Sequence, residues 1–249
     1  MRFDSGNPPF LEAWMRAAKS VGRIIGMLLF VQLAGLILPF ALLHPLTRNP
    51  RDFLASAAAN SFQLKAAVFL LFANCALTIG ISIAAWPVFR RYSEALALWL
   101  LVVSGIMFLM QAVDNVHILS MLSLSQQAAQ AGGPGELSQA VAAAVGLTRR
   151  WAHFTELFVI DCWIFLLYSI LYRFRLVPRP LAAFGLITVS LHFTGIPLPG
   201  FLGYSVVTLM GVPMALSHIA LASWTMARGF KEGQRLPHAE TPGIQLSQA

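Results

Sequence analysis

Charge is what this sequence has least of. Asp, Glu, Lys and Arg make up only 11% of its 249 residues, against roughly 25% in a typical soluble domain, which excludes an ordinary soluble surface. Cysteine is nearly missing too. Cys75 and Cys162 each lie in an apolar stretch with no near sequence partner, which argues against a disulfide scaffold or a zinc knuckle. Both read as small buried apolar residues. There is no Walker loop, no glycine-rich dinucleotide fingerprint, no Gly-x-Ser-x-Gly elbow and no His-Glu-x-x-His, so the common soluble-enzyme motifs are absent. No cleavable signal peptide is expected, because the sequence is polar through Lys19 and the first apolar stretch is too long for a signal core.

What the sequence has is hydrophobic residues, 57% of the total, in long blocks. About 18 apolar residues suffice to cross some 30 Å of hydrocarbon as helix. The expected fold is therefore all-α, a polytopic transmembrane helical bundle of about six spans at 21–43, 62–89, 95–118, 151–172, 181–196 and 201–226. These form a single membrane domain over 21–230. Residues 1–20 are expected as a cytoplasmic N-terminal segment in which Phe10 to Lys19 lie at the interface as an amphipathic helix, and 231–249 as a disordered cytoplasmic tail. Span five is short and is expected to be tilted, extended or partly re-entrant. Pro87 should kink or end span two, and Pro213 should kink span six. Helical patterning continues past span three toward Ala131, Gly132 to Gly135 is a clear break, and the alanine-rich stretch from Leu137 to Arg150 reads as helix outside the hydrocarbon. Gly22 and Gly26 have the four-residue spacing that lets helices approach closely.

The net charge of +7 does not indicate a nucleic-acid partner, because the basic residues sit at helix ends. They read as topology determinants and contacts to anionic lipid head groups. With the N-terminus in the cytoplasm, 12 of the 17 Lys and Arg fall inside and 5 outside. That asymmetry places both termini in the cytoplasm, with the longest loop external.

Three stretches carry a family resemblance. They are Val21-Gly22-Arg23-Ile24-Ile25-Gly26 at the start of span one, Trp86 through Leu98 across the turn between spans two and three, and Tyr172-Arg173 through Val177-Pro178-Arg179. With them the chain resembles, over roughly residues 20 to 230, a bacterial multi-spanning membrane protein family known as a domain of unknown function, number 4386. The resemblance implies a compact bundle in the bacterial inner (cytoplasmic) membrane and implies no activity. Family members often carry charges early in span three, whereas Leu100 to Met110 is apolar here.

Ionisable groups inside a membrane are costly and are functional candidates by default. At 1.5 Å of rise per residue, Asp161 lies about 18 Å from Arg173, and His192 about 20 Å from Arg179. These matching depths on sequential antiparallel spans predict an Asp–His pair. Glu156 lies about 26 Å from Arg173, and His153 shares its face three residues away. Asp114 and His117 repeat that spacing near the outer boundary of span three, with Gln111 and Asn115 on or near the same face. Asp114, His117, His153, Glu156, Asp161 and His192 are thus expected to form a polar track from the outside toward mid-membrane. His218 is expected near the cytoplasmic edge, within reach of water.

Several readings of the track stay open. One is a ligand or proton relay through Asp161, His192, Glu156, His153, Asp114 and His117, in a bundle that binds or moves a small lipophilic or protonatable ligand. Another is a metal site built from His153, Glu156, Asp114 and His117. Membrane-embedded enzyme chemistry on a lipid or isoprenoid, metal-dependent or acid-catalysed, is the alternative function. A structural or accessory membrane subunit, with the polar groups as interhelical glue, is the third. Neither a resident cofactor nor an oligomeric state is indicated.

Overall fold

The computed structural model describes residues 9–47, 50–202 and 207–231, and these are helical apart from short turns. The predicted tail over 231–249 lies outside the described residues after Lys231, as do the first eight residues. Helices α1 (Pro9–Thr47), α2 (Pro50–Ser56), α3 (Ser61–Phe89), α4 (Glu94–Gln130), α5 (Glu136–Arg173), α6 (Arg179–Gly195), α7 (Leu198–Phe201) and α8 (Val207–Arg228) follow in order. Helix is what such a sequence must form in hydrocarbon, where every backbone N–H and C=O needs a partner within its own segment.

Local chemistry sets the ends. α3 stops two residues after Pro87. The Ser93 side chain, on extended backbone, accepts a bond from the Leu96 N–H at 3.3 Å and so caps α4. Gly132 and Gly133 take φ of +84° and +140°, values that only glycine adopts readily, and reverse the chain between α4 and α5. Pro180 sits in the first turn of α6, where its missing N–H costs nothing. Phe10 to Lys19 are not a separate interfacial helix but the opening turns of α1. The helix expected over 137–150 is present and runs without interruption into span four as α5.

Five helices are long and apolar enough to cross a membrane: Met15–Leu43 within α1, then α3, α4, α5 and, in α8, Leu209–Arg228. The sixth pass is α6, of 17 residues and about 26 Å. Its passage follows from which ends meet. Gly229, after α8, abuts Lys19 of α1; Phe89 stacks on Phe230; Tyr92 stacks on Phe174; and Lys231 N–H donates to the Leu176 carbonyl at 2.7 Å. The start of α1, the α3–α4 turn, the α5–α6 turn and the end of α8 therefore share one face of the bundle. Five passes would leave the start of α1 and the end of α8 on opposite faces, so α6 must carry the chain across. The shared face is called the basic face here, for Arg23, Arg90, Arg91, Arg173, Arg175, Arg179 and Arg228. The opposite face carries α2, the α4–α5 turn and α7.

Packing is closest near the basic face. A Cβ on Gly26 would stand 2.6 Å from the Met226 nitrogen and 2.6 Å from Thr225 Oγ1, and one on Gly22 would stand 2.8 Å from the Gly229 carbonyl carbon, so α1 and α8 touch backbone to backbone. Gly185 of α6 lies flat against the Tyr168 ring of α5 in the same way. Around these contacts lies the larger core, with Trp163, Tyr168, Phe89, Phe174 and Phe230 almost fully buried. A smaller core of Phe53 from α2, Leu64 from α3, and Ile118, Met121 and Leu122 from α4 lies at the opposite face, where α2 packs on α4 and α5. Outward-facing positions are apolar as well: Ile37, Phe62, Phe69, Ile83 and Leu109 are all exposed. That arrangement suits lipid and would aggregate in water.

α4 and α5, with 37 and 38 residues, are each roughly 56 Å long against a hydrocarbon thickness of about 30 Å. Their excess length projects as a two-helix hairpin beyond the membrane at the face opposite the basic one.

Candidate functional site

The six expected polar residues do not form one track. Five of them divide into two groups on different sides of α5, because Glu156 and Asp161 are five residues apart and so point about 140° away from each other around the helix, and His117 joins neither.

The deeper group is the pair predicted from depth. His192 of α6 turns Nδ1 to the Asp161 carboxylate of α5, at 2.8 Å from Oδ2 and 2.9 Å from Oδ1. Both residues are buried, Asp161 with 1% of its surface exposed and His192 with 5%. A carboxylate only accepts, so Nδ1 carries the proton between them, and in a neutral ring Nε2 is then the acceptor nitrogen. That edge of the ring faces α8 at Gly211, where an added Cβ would lie 3.5 Å from Cδ2 and 3.6 Å from Nε2. Between the pair and the face opposite the basic one stands a ladder of edge-to-face rings. Trp151 meets Phe154 at 5.6 Å, Phe154 meets Phe158 at 5.1 Å, and Phe158 meets Phe193 at 5.0 Å.

The second group lies between α4 and α5, one membrane thickness from the basic face. Arg149 Nη2 donates to Asp114 Oδ2 at 3.4 Å. Its Nε is 3.2 Å from Asp114 Oδ1, close enough for an ion pair but too poorly angled for a hydrogen bond, so both of those buried atoms lack a hydrogen-bond partner. His153 Nδ1 lies 3.3 Å from Glu156 Oε2, with Glu156 buried and His153 half exposed. Asp114, His153 and Glu156 each bring one ligand-type atom to within 4.8 Å of the others.

Two further histidines differ from expectation. His117 is not in the cluster: its Nδ1–H donates to the Val113 carbonyl of its own helix at 2.8 Å. His218 does not reach water. It is buried, its Nδ1–H donates to the Met214 carbonyl at 3.2 Å, and its ring meets the Tyr168 ring edge-on.

The sequence reading missed Arg149, which had been counted only as a topology charge. Its position four residues before His153, on the same helical face, was the available signal. Gln111 and Asn115, noted only as neighbours, form a relay of their own. Cys75 S–H faces Gln111 Oε1 at 3.8 Å, Gln111 Nε2 donates to Asn115 Oδ1 at 3.0 Å, and Asn115 Nδ2 donates to the Val68 carbonyl at 3.4 Å. Elsewhere the buried polar groups join helices. Trp163 Nε1 donates to Ser82 Oγ at 3.0 Å, and Tyr168 OH and Thr188 Oγ1 both donate to Ser217 Oγ, at 3.2 and 3.1 Å. An open groove between α3 and α4 is walled by Phe69, Phe72, Val116 and Leu119, with Lys65 and Asn115 as its polar members.

No curated protein and no solved structure matches the chain. A family model does, over residues 24–229, which include both polar clusters. The chain thus belongs to the membrane-spanning family described as Domain of unknown function (DUF4386).

Proposed function

We propose that this protein binds a small lipophilic, protonatable ligand within the membrane, at the Asp161–His192 pair. The observation that carries the reading is the pair itself. An ionisable pair deep in a bundle is costly, and this one is aligned on both carboxylate oxygens with the second imidazole nitrogen turned to a glycine. Such a dyad accepts a proton at Nε2 while the Asp161 carboxylate stabilises the resulting charge. The ring ladder from Trp151 to Phe193 offers an apolar, π-rich approach that suits an amine with a hydrocarbon body. The apolar α3–α4 groove, with Lys65 among its lining residues, is fitted to membrane lipid, the other expected partner; nucleic acid is not one.

In this reading the protein resides in the bacterial cytoplasmic membrane with both termini in the cytoplasm. The basic face then contacts the cytoplasmic leaflet and the α4–α5 hairpin projects outward.

The test is a thermal-shift screen of the detergent-purified chain against lipophilic amines and weak acids at two pH values, run in parallel on Asp161→Asn and His192→Gln. Ligands that raise Tm in a pH-dependent way in the wild type, and in neither variant, support the reading. A screen in which no compound shifts the wild type, or in which shifts survive both substitutions, sinks it.

A further inference from the structure

We propose that Asp114, His153 and Glu156 form a binding site for a divalent first-row transition ion at the outer end of α4 and α5, separate from the Asp161–His192 pair. The donor set is two carboxylates and an imidazole from two facing helices, the mixed oxygen and nitrogen set that such ions take. His153 and Glu156 are three apart and share one face of α5, and Asp114 meets them from α4. A bundle-core metal site is built in this way, from ligands on facing helices.

Three features distinguish the cluster from a plain salt-bridge network. First, Asp114 is 2% exposed, yet its Oδ1 has no hydrogen-bond donor, so a buried anionic oxygen beside the cluster is left under-satisfied. Second, Glu156 is buried equally deeply, and its partner is a half-exposed histidine. A metal ion at this position would offset the burial of that carboxylate directly. Third, the position suits exchange with solvent, because one membrane thickness from the basic face puts the cluster at the boundary where Trp151 is exposed.

Arg149 is the competitor. Its guanidinium now supplies the positive charge at Asp114, but with one misaligned approach and one long bond. The Arg149 side chain is 20% exposed and can swing outward as the ion enters. Ligands of a tetrahedral ion at about 2.0 Å lie roughly 3.3 Å apart, so donors that stand within 4.8 Å of one another close in by at most about 1.5 Å. The half-exposed His153 ring has the freedom to do so. Three protein donors leave a fourth position for water or a substrate atom, which is the form of a catalytic rather than a closed structural site.

The test is a titration of the tag-free, detergent-purified full chain with Co(II), read by its visible ligand-field absorption, followed by displacement with Zn(II) against a chromophoric chelator. One equivalent is expected to bind the wild type. Asp114→Asn and Glu156→Gln should each weaken binding by about tenfold or more, a loss of the size seen when a metal site's supporting groups are removed. His153→Ala, at an exposed position that tolerates change, should weaken it similarly and guards against misfolding of the buried variants. His117→Ala should bind as the wild type does. No saturable binding to the wild type, or equal affinity in Asp114→Asn, Glu156→Gln and His153→Ala, overturns the proposal. Metal binding should survive Asp161→Asn, and ligand-induced Tm shifts should survive Glu156→Gln, so the failure of one proposal is distinguishable from the failure of the other.

Discussion

The two polar groups of this bundle differ in how they are closed. Asp161 and His192 meet between α5 and α6 near mid-membrane, and each partner is the other's answer to burial. Asp114, Arg149, His153 and Glu156 lie where α4 and α5 leave the membrane, and two of the four, Arg149 and His153, reach solvent. The deep pair is buried and satisfied by its own alignment, with the Nε2 edge of His192 turned to Gly211. The cluster at the face opposite the basic one is only partly satisfied and reaches solvent. Alignment thus fixes the deep pair, while the other cluster leaves side chains free to rearrange around an incoming ion.

The largest effect should come from breaking the tight half itself. Gly26→Val places a branched side chain against the α8 backbone, where Met226 N and Ala222 O stand 2.6 and 2.8 Å from the missing Cβ. Overpacking of a rigid contact costs about 1–3 kcal/mol, and this substitution should reach the upper end, read as a fall in Tm and a loss of monodisperse protein on gel filtration. Next is Asp161→Ala, which strands His192. Interhelical bonds in membranes average about 0.6 kcal/mol and reach about 1.7, and a buried pair whose one N–H meets both carboxylate oxygens should fall near that maximum in a reversible unfolding assay. Asp114→Asn should cost less than about 1 kcal/mol, because its partner is partly solvated. If it destabilises more than Asp161→Ala, the contrast between closed and open groups fails. Arg149→Gln sharpens the contrast further. It should barely change Tm yet bind Co(II) more tightly than the wild type, whereas a plain salt-bridge network would show destabilisation and no gain in metal affinity. His117→Ala should be nearly silent, within about 0.5 kcal/mol, since its ring bonds only to its own helix.

How much of this was legible in the sequence follows from what each feature depends on. Depth along a helix is a linear count, so the meeting of Asp161 with His192 could be reckoned from Arg173 and Arg179. The four-residue spacing of Gly22 and Gly26 showed that a close approach was available, but not that α8 would fill it. Rotation around the axis was harder to read. A list of polar residues at increasing depth suggested one track, while the 140° between Glu156 and Asp161 splits it across two interfaces. Arg149 was hidden because a basic residue beside an apolar run has a ready topological explanation. Its second role depends on Asp114, 35 residues earlier. Helices α1 and α5 outrun their apolar spans for one reason. Hydropathy marks where lipid begins, whereas a helix continues into water for as long as its backbone bonds can be made.

The long α4–α5 hairpin has a use beyond the cell. A 27.2 kDa membrane protein in a detergent micelle offers an electron microscope almost nothing to align on. Here two rigid rods emerge together and end in a turn where Gly132, Gly133 and Gly135 face open space. Fusing a rigid helical domain in register with both rods would extend them as one unit. The projection would then serve as a fiducial, fixing the orientation of each particle from outside the micelle.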